Sequence, residues 1–120
     1  MSIIEEQAKF VDDIIKLIQF ANSKGLMVTL GEAFRSVEQQ QLYVKTGKSK
    51  TMNSQHLKRR ALDLNFFVGG KLTYDVKYLQ EVGDFWEKLD EKNRWGGSWR
   101  GLIKQGKSKF KDYPHFERQD

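Results

Sequence analysis

The sequence has no cysteine and one proline in 120 residues. Without thiols there can be no disulfide framework and no thiolate metal site, so a bound metal would have to rely on imidazole and carboxylate. Histidine is nearly as scarce, with His56 and His115 alone. No apolar run approaches the roughly 20 residues that a membrane-spanning helix needs. The first ten residues carry Glu5 and Glu6 and lack the basic-then-apolar order of a secretory signal. The expectation is a chain made without a signal peptide in the cytoplasm, which needs a separate route out if it acts beyond the membrane. Repeats, linkers and low-complexity segments are also missing. At this length the chain reads as a single domain, 1–120, with one modest core.

What is present is positive charge and aromatic bulk. Lys and Arg number 21 against 16 acids, a formal charge of +5, with a pI near 9.4. That balance favours an anionic partner: nucleic acid, an acidic membrane surface or an anionic cell wall. Three Trp, four Tyr and eight Phe supply core material. The Lys and Arg residues are spread along the chain rather than gathered on one helix, and no nucleic-acid-binding motif appears.

Apolar residues Phe10, Ile14, Leu17, Ile18 and Ala21 recur at helical spacing and predict an amphipathic helix over 3–23. Ser2 and Glu5 stand in capping-box spacing at its start. Leu26 to Leu30 reads as a buried strand leading to Arg35 and Ser36, where Ser36 caps a helix from Val37 to about Lys45. Lys45 to Asn53 is a polar, lysine-rich loop. From Arg60 to Val68 the pattern alternates: Leu62, Leu64 and Phe66 suit a core, leaving Ala61, Asp63 and Asn65 to face a cleft. Gly69-Gly70 signals a hairpin with a return through Lys71 to Tyr74. A second amphipathic helix is predicted from about Val76 to Glu91, capped by Asp75, with Leu79, Val82, Phe85, Trp86 and Leu89 inside. Arg94 to Trp99 reads as irregular chain whose paired glycines, Gly96 and Gly97, imply close backbone approach to a ligand or another segment. After a basic loop, Lys104 to Lys111, His115-Phe116-Glu117 reads as a last strand. The fold class is α+β: a small antiparallel sheet with helices packed on one face and candidate ligands on the other.

Asp63 has the cleft-facing position, His56 can reach it from the preceding loop, and His115 must come from far along the chain. Catalytic zinc takes three such ligands and keeps a place for water. By spacing alone the two histidines are read more readily as surface or satisfied core residues than as ligands.

The order Ser54-x-His56-x-x-x-x-Ala61-x-Asp63, then Asp112-x-x-His115, resembles the zinc peptidases that cut peptidoglycan stem peptides. These are the VanY-like D-alanyl-D-alanine carboxypeptidases and the phage L-alanyl-D-glutamate endopeptidases. Arg35-Ser36 with Gln39 and Gln40, and Trp95-Gly96-Gly97, are similar to further family features, so the resemblance runs from about Leu30 to Glu117. It implies the Hedgehog/D,D-peptidase fold, zinc held by His56, Asp63 and His115, and Asp112 as the general base that moves a proton from attacking water to the leaving amine. It also implies that Arg35 neutralises the oxyanion or holds a substrate carboxylate. Ser54, Gln40 and Trp95 are carried over as substrate-binding or supporting residues. One family glycine is Arg59 here, which is expected to change the loop backbone.

The leading expectation is a monomeric zinc endopeptidase of stem peptides, a phage endolysin that reaches the cell wall in the periplasm after release and binds no nucleic acid. Three alternatives remain: a D,D-carboxypeptidase, a non-catalytic basic nucleic-acid-binding module, and a zinc-bearing module that binds the wall without cutting it.

Overall fold

A computed structural model describes residues 1–48, 54–98 and 112–120. Trp99, the basic loop from Lys104 to Lys111 and the last part of the Lys45–Asn53 loop lie outside the described residues.

The first helix, α1, spans Ile3–Ser23 and has the full capping box: the Ser2 hydroxyl accepts from the Glu5 amide and the Glu5 carboxylate accepts from the Ser2 amide. The other elements are β1 (Met27–Leu30), α2 (Val37–Thr46), β2 (Ala61–Val68), β3 (Lys71–Thr73), α3 (Val76–Leu89), β4 (Asn93–Trp95) and β5 (His115–Arg118). Ser36 caps α2 by accepting from the Gln39 amide, and Asp75 caps α3 through the Lys77 amide. Each helix therefore starts where a short polar side chain satisfies an otherwise free amide.

The strands form one antiparallel sheet in the order β1-β2-β5-β4, with β3 folded back on the far end of β2 through the Gly69-Gly70 turn. Both turn glycines have positive φ, which the tight return requires. The alternation in β2 holds: Leu62, Leu64 and Phe66 enter the core with Phe116 of β5. Helices α1 and α3 cover that face through Phe10, Ile14, Leu17, Ala21, Leu79, Val82 and Trp86. Gly83 lets α3 come close, because a Cβ there would overlap the Trp95 indole.

Two expectations are corrected. The segment from Leu26 is not a buried strand: Leu26 is buried, but Met27 and Leu30 are 62% and 68% exposed. Among the described residues β1 pairs with β2 alone, so it is an edge. The chain after α3 is also more regular than its composition suggests. Asn93–Trp95 is a strand, paired to β5 with Trp95 opposite Phe116.

Candidate metal centre

The register between β2 and β5 builds the centre. Asp63 sits directly opposite His115, as Leu62 sits opposite Phe116 on the core side. Side chains alternate along each strand, so the same pairing that puts Leu62 and Phe116 together in the core puts Asp63 and His115 together on the other face. His56 arrives from the turn before β2. That turn and β2 are both fastened to the segment after β1, since the Arg35 amide donates to the His56 carbonyl at 3.2 Å and the Asp63 amide donates to the Glu32 carbonyl at 2.8 Å.

One ligand atom each from His56, Asp63 and His115 lies within 4.8 Å of the other two. The Asp63 Oδ1 is 3.5 Å from His56 Nε2 and 3.3 Å from His115 Nδ1. The outer ring nitrogens are committed. His56 Nδ1 donates to the Ala33 carbonyl at 2.6 Å, and His115 Nε2 donates to the Glu117 carboxylate at 2.7 Å. When the rings are neutral, with those protons outward, the inner nitrogens present lone pairs. Two nitrogen lone pairs and a carboxylate oxygen then face one another, an arrangement that needs a proton or a cation between them. This donor set suits a divalent metal ion, and the three residues form a group that can hold one.

The protonation tendencies follow from the same crowding. Burial works to raise the Asp63 pKa, but hydrogen bonds from His115 and His56 outweigh it and hold the carboxyl well below its usual range. Burial works to lower the His115 pKa, but Asp63 and Glu117 outweigh it, and the imidazole is pushed up to about 9. Asp112 shifts upward, chiefly through burial, with Asp63 adding to the rise and His115, His56 and Arg35 opposing it. Asp112 thus sits in the field of all three candidate ligands. Its turn is tightly specified: the His115 amide donates to the Asp112 carbonyl at 3.0 Å, the Asp112 amide to the Gly96 carbonyl at 2.9 Å, and the Gly96 amide to the His115 carbonyl at 2.8 Å. A Cβ on Gly96 would overlap the Asp112 carbonyl oxygen. The close approach expected of this glycine pair is therefore, at Gly96, an approach to another segment.

Arg35 is held from several sides. Its Nε donates to Glu32, its Nη1 donates to Gln40 Oε1 at 2.6 Å and lies 3.4 Å from the Ser54 hydroxyl, and its guanidinium lies over the Tyr43 ring. Tyr43 in turn donates to the other Glu32 oxygen at 3.0 Å. Ser54 also accepts from the His56 amide at 3.2 Å. Arg35, Gln40 and Ser54 are thus brought together beside His56. Substrate contact by Gln40 and Trp95 does not fit the structure, because they are 0% and 1% exposed. Gln40 orients Arg35 from behind. Trp95 packs in the core and donates its indole N–H to the Tyr113 carbonyl at 2.9 Å. Arg59, in place of the family glycine, has φ 59°, a left-handed backbone that glycine adopts freely, and its guanidinium lies over Phe34 at 4.2 Å. Glu32 and Glu117 were missed in the sequence. Glu117 had a signal, since it stands two positions from His115 on the same strand and so shares its face. Glu32 had none.

Comparison with known proteins agrees with this geometry. A family profile described as phage L-alanyl-D-glutamate peptidase matches residues 5–118. An L-alanyl-D-glutamate peptidase of Listeria phage A118 is 32% identical over 103 residues, covering 85% of this chain. The chain spans about a third of that relative's length, 34%. The crystal structure of an L-Ala D-Glu endopeptidase of Serratia marcescens superposes with a TM-score of 0.65 at 25% identity, covering 90% of this chain and 79% of the other. With its sequence matched almost end to end and its fold similar to that of a solved endopeptidase, the chain belongs to the phage L-alanyl-D-glutamate peptidase family.

Proposed function

We propose that this chain is a zinc-dependent endopeptidase that hydrolyses the L-alanyl-D-glutamate bond of peptidoglycan stem peptides, acting as a monomer on the cell wall as a phage endolysin. The observation that carries the reading is the convergence of His56, Asp63 and His115, in a chain of this family, on one point where their donor atoms need a cation. When bound, zinc would supply Lewis acidity, polarising a scissile carbonyl and making water more acidic near neutral pH.

The protein's own groups complete the chemistry. Asp112 takes the proton of the attacking water and gives it to the leaving amine; burial shifts its pKa upward, the direction that makes a carboxylate a better proton acceptor. Arg35, fixed by Glu32 and Gln40 so that it need not reorganise, faces negative charge that develops on the substrate or a stem-peptide carboxylate. Ser54, half-buried beside Arg35, is the remaining candidate for a substrate contact. The net charge of +5 draws the enzyme to an anionic wall.

The test is digestion of purified muropeptides by the zinc-loaded protein, read by mass spectrometry. Release of a stem fragment with a new N-terminal glutamate is expected, and it stops on chelation. Loss of terminal alanine alone would reassign the enzyme as a D,D-carboxypeptidase, and no cleavage would remove the peptidase reading. Asp112→Asn should keep its zinc and lose about 10²–10⁴ in turnover. Turnover within tenfold of the parent takes Asp112 out of the mechanism.

A further inference from the structure

We propose that Glu117 is the positioning residue of the metal centre: by accepting the Nε2 proton of His115 it fixes which nitrogen of that ring faces the ion. The inference deepens the reading of His115 as a ligand and rests on it.

Four observations support it. The contact is short and enclosed, 2.7 Å between His115 Nε2 and Glu117 Oε1, with Glu117 7% exposed. The strand pleat makes it inevitable, because positions 115 and 117 of β5 share a face while Phe116 and Arg118 point to the helices. The carboxylate has no other charged partner among the described residues. Arg94, its partner across β4, turns its guanidinium instead to the Glu91 and Asn93 carbonyls. The neighbour on β2 is Ala61, too small to displace it. A buried carboxylate kept for a single imidazole is costly as a structural device, since burying charge needs strong compensation. It is the arrangement expected where a carboxylate orients a ligating histidine and makes its other nitrogen a better donor.

The two histidines then differ in kind. His56 hands its outer proton to a neutral backbone carbonyl, that of Ala33, and ligates through Nε2. His115 hands its outer proton to a charged carboxylate and ligates through Nδ1. The ring closer to Asp112 in the sequence is the one with the stronger outer acceptor.

The experiment titrates zinc, in competition with a chromophoric chelator, into metal-free wild-type protein and Glu117→Gln. Glu117→Gln should weaken zinc binding by about 10- to 100-fold. A merely structural acid would leave the affinity of the folded protein alone; equal zinc affinity in the two proteins overturns the proposal. A second measurement needs no variant and stands if Glu117→Gln fails to fold. Two-bond ¹H–¹⁵N spectra of the zinc-loaded wild-type imidazoles should place the His115 proton on Nε2 and the His56 proton on Nδ1. A His115 proton on Nδ1 overturns the proposal. Neither readout uses turnover. Zinc held in this tautomer without muropeptide cleavage would remove the peptidase reading and leave this one, and cleavage with unchanged zinc affinity in Glu117→Gln would do the opposite.

Discussion

Strand β5 carries a charged cluster on each face, and the two are built differently. On the helix side Arg118 donates to Glu6 at 2.6 Å and pairs with Asp90 at 3.0 Å, Lys92 pairs with Glu6 at 3.0 Å, and Asn93 donates to Asp13 at 3.1 Å. Acid and base alternate, and each charge has an opposite charge from the chain beside it. On the cleft side two imidazole nitrogens and a carboxylate oxygen face one another, with no Lys or Arg of the described residues among them. The first cluster ties α1 to the end of the sheet. The second is a group that could hold an ion from solution. Which side supplies the missing charge, polypeptide or solution, separates a brace from a binding site more cleanly than burial or charge count does.

The comparison is broken most severely at Arg118. Removing one member of a buried charge network leaves the opposite charges uncompensated, so Arg118→Ala should cost about 3–5 kcal/mol. Urea denaturation of the metal-free protein measures it. A loss below about 1 kcal/mol would mean that the helix-side cluster is no brace.

Next comes pH, where the cleft side should add a basic limb to the acid limb that both faces share. Glu6 is held below the usual carboxylate range by hydrogen bonds from Lys92 and then Arg118. Its contribution is present above the ordinary value of 4.5 and is lost as pH falls through the lower folded value. Asp63 on the cleft side shares that acid limb. His115 behaves inversely. Its pKa is raised from 6.5 to about 9, so its contribution is complete below 6.5 and disappears as pH rises through about 9. The metal-free protein should therefore lose on the order of 3 kcal/mol across that interval, and His115→Gln should not. Parallel curves for the two proteins between pH 6 and 10 would sink the assignment.

Zinc sharpens the contrast. At a free concentration a hundred times its Kd, an ion bound only by the folded state adds about 2.7 kcal/mol. The wild-type protein should show this gain, and so should Glu6→Gln, which touches only the brace. His56→Ala and Asp63→Ala should show none. A zinc-dependent rise in melting temperature that survives either ligand substitution would place the ion elsewhere.

The two faces were also unequally legible. The cleft side could be read because strand alternation separates Asp63 from Leu62 and Leu64, and because the spacing of His56, Asp63, Asp112 and His115 resembles a known family. The brace could not, since its members look like ordinary surface charges. Yet Glu6 and Asp13 share the buried stripe of α1 with Phe10, Ile14 and Leu17, and a strict helical-face reading would have noticed two acids there. Strand β4 escaped because three residues are too few to show a period, and it exists through pairing with β5 rather than through its own propensity. The exposed edge of β1 escaped for a related reason: an apolar run looks buried until its neighbours are known.

The smallest effect lies at the rim of the centre, where strain rather than charge is at issue. Arg59 is the one non-glycine residue with a left-handed backbone among those described. It lies in the turn that holds His56, its amide donating to the His56 carbonyl at 3.4 Å. An L-residue with a Cβ in this conformation costs about 1–2 kcal/mol, and the stack of Arg59 on Phe34 offsets about 0.5–1 kcal/mol of that. Arg59→Ala keeps the strain and loses the stack, whereas Arg59→Gly loses both. Arg59→Gly should therefore be the more stable of the two variants by about 1 kcal/mol, measured by urea denaturation of both without metal. The reverse order would show that the turn relaxes out of the left-handed region once the guanidinium is gone, and that the stack on Phe34, rather than the turn itself, sets the backbone beside His56.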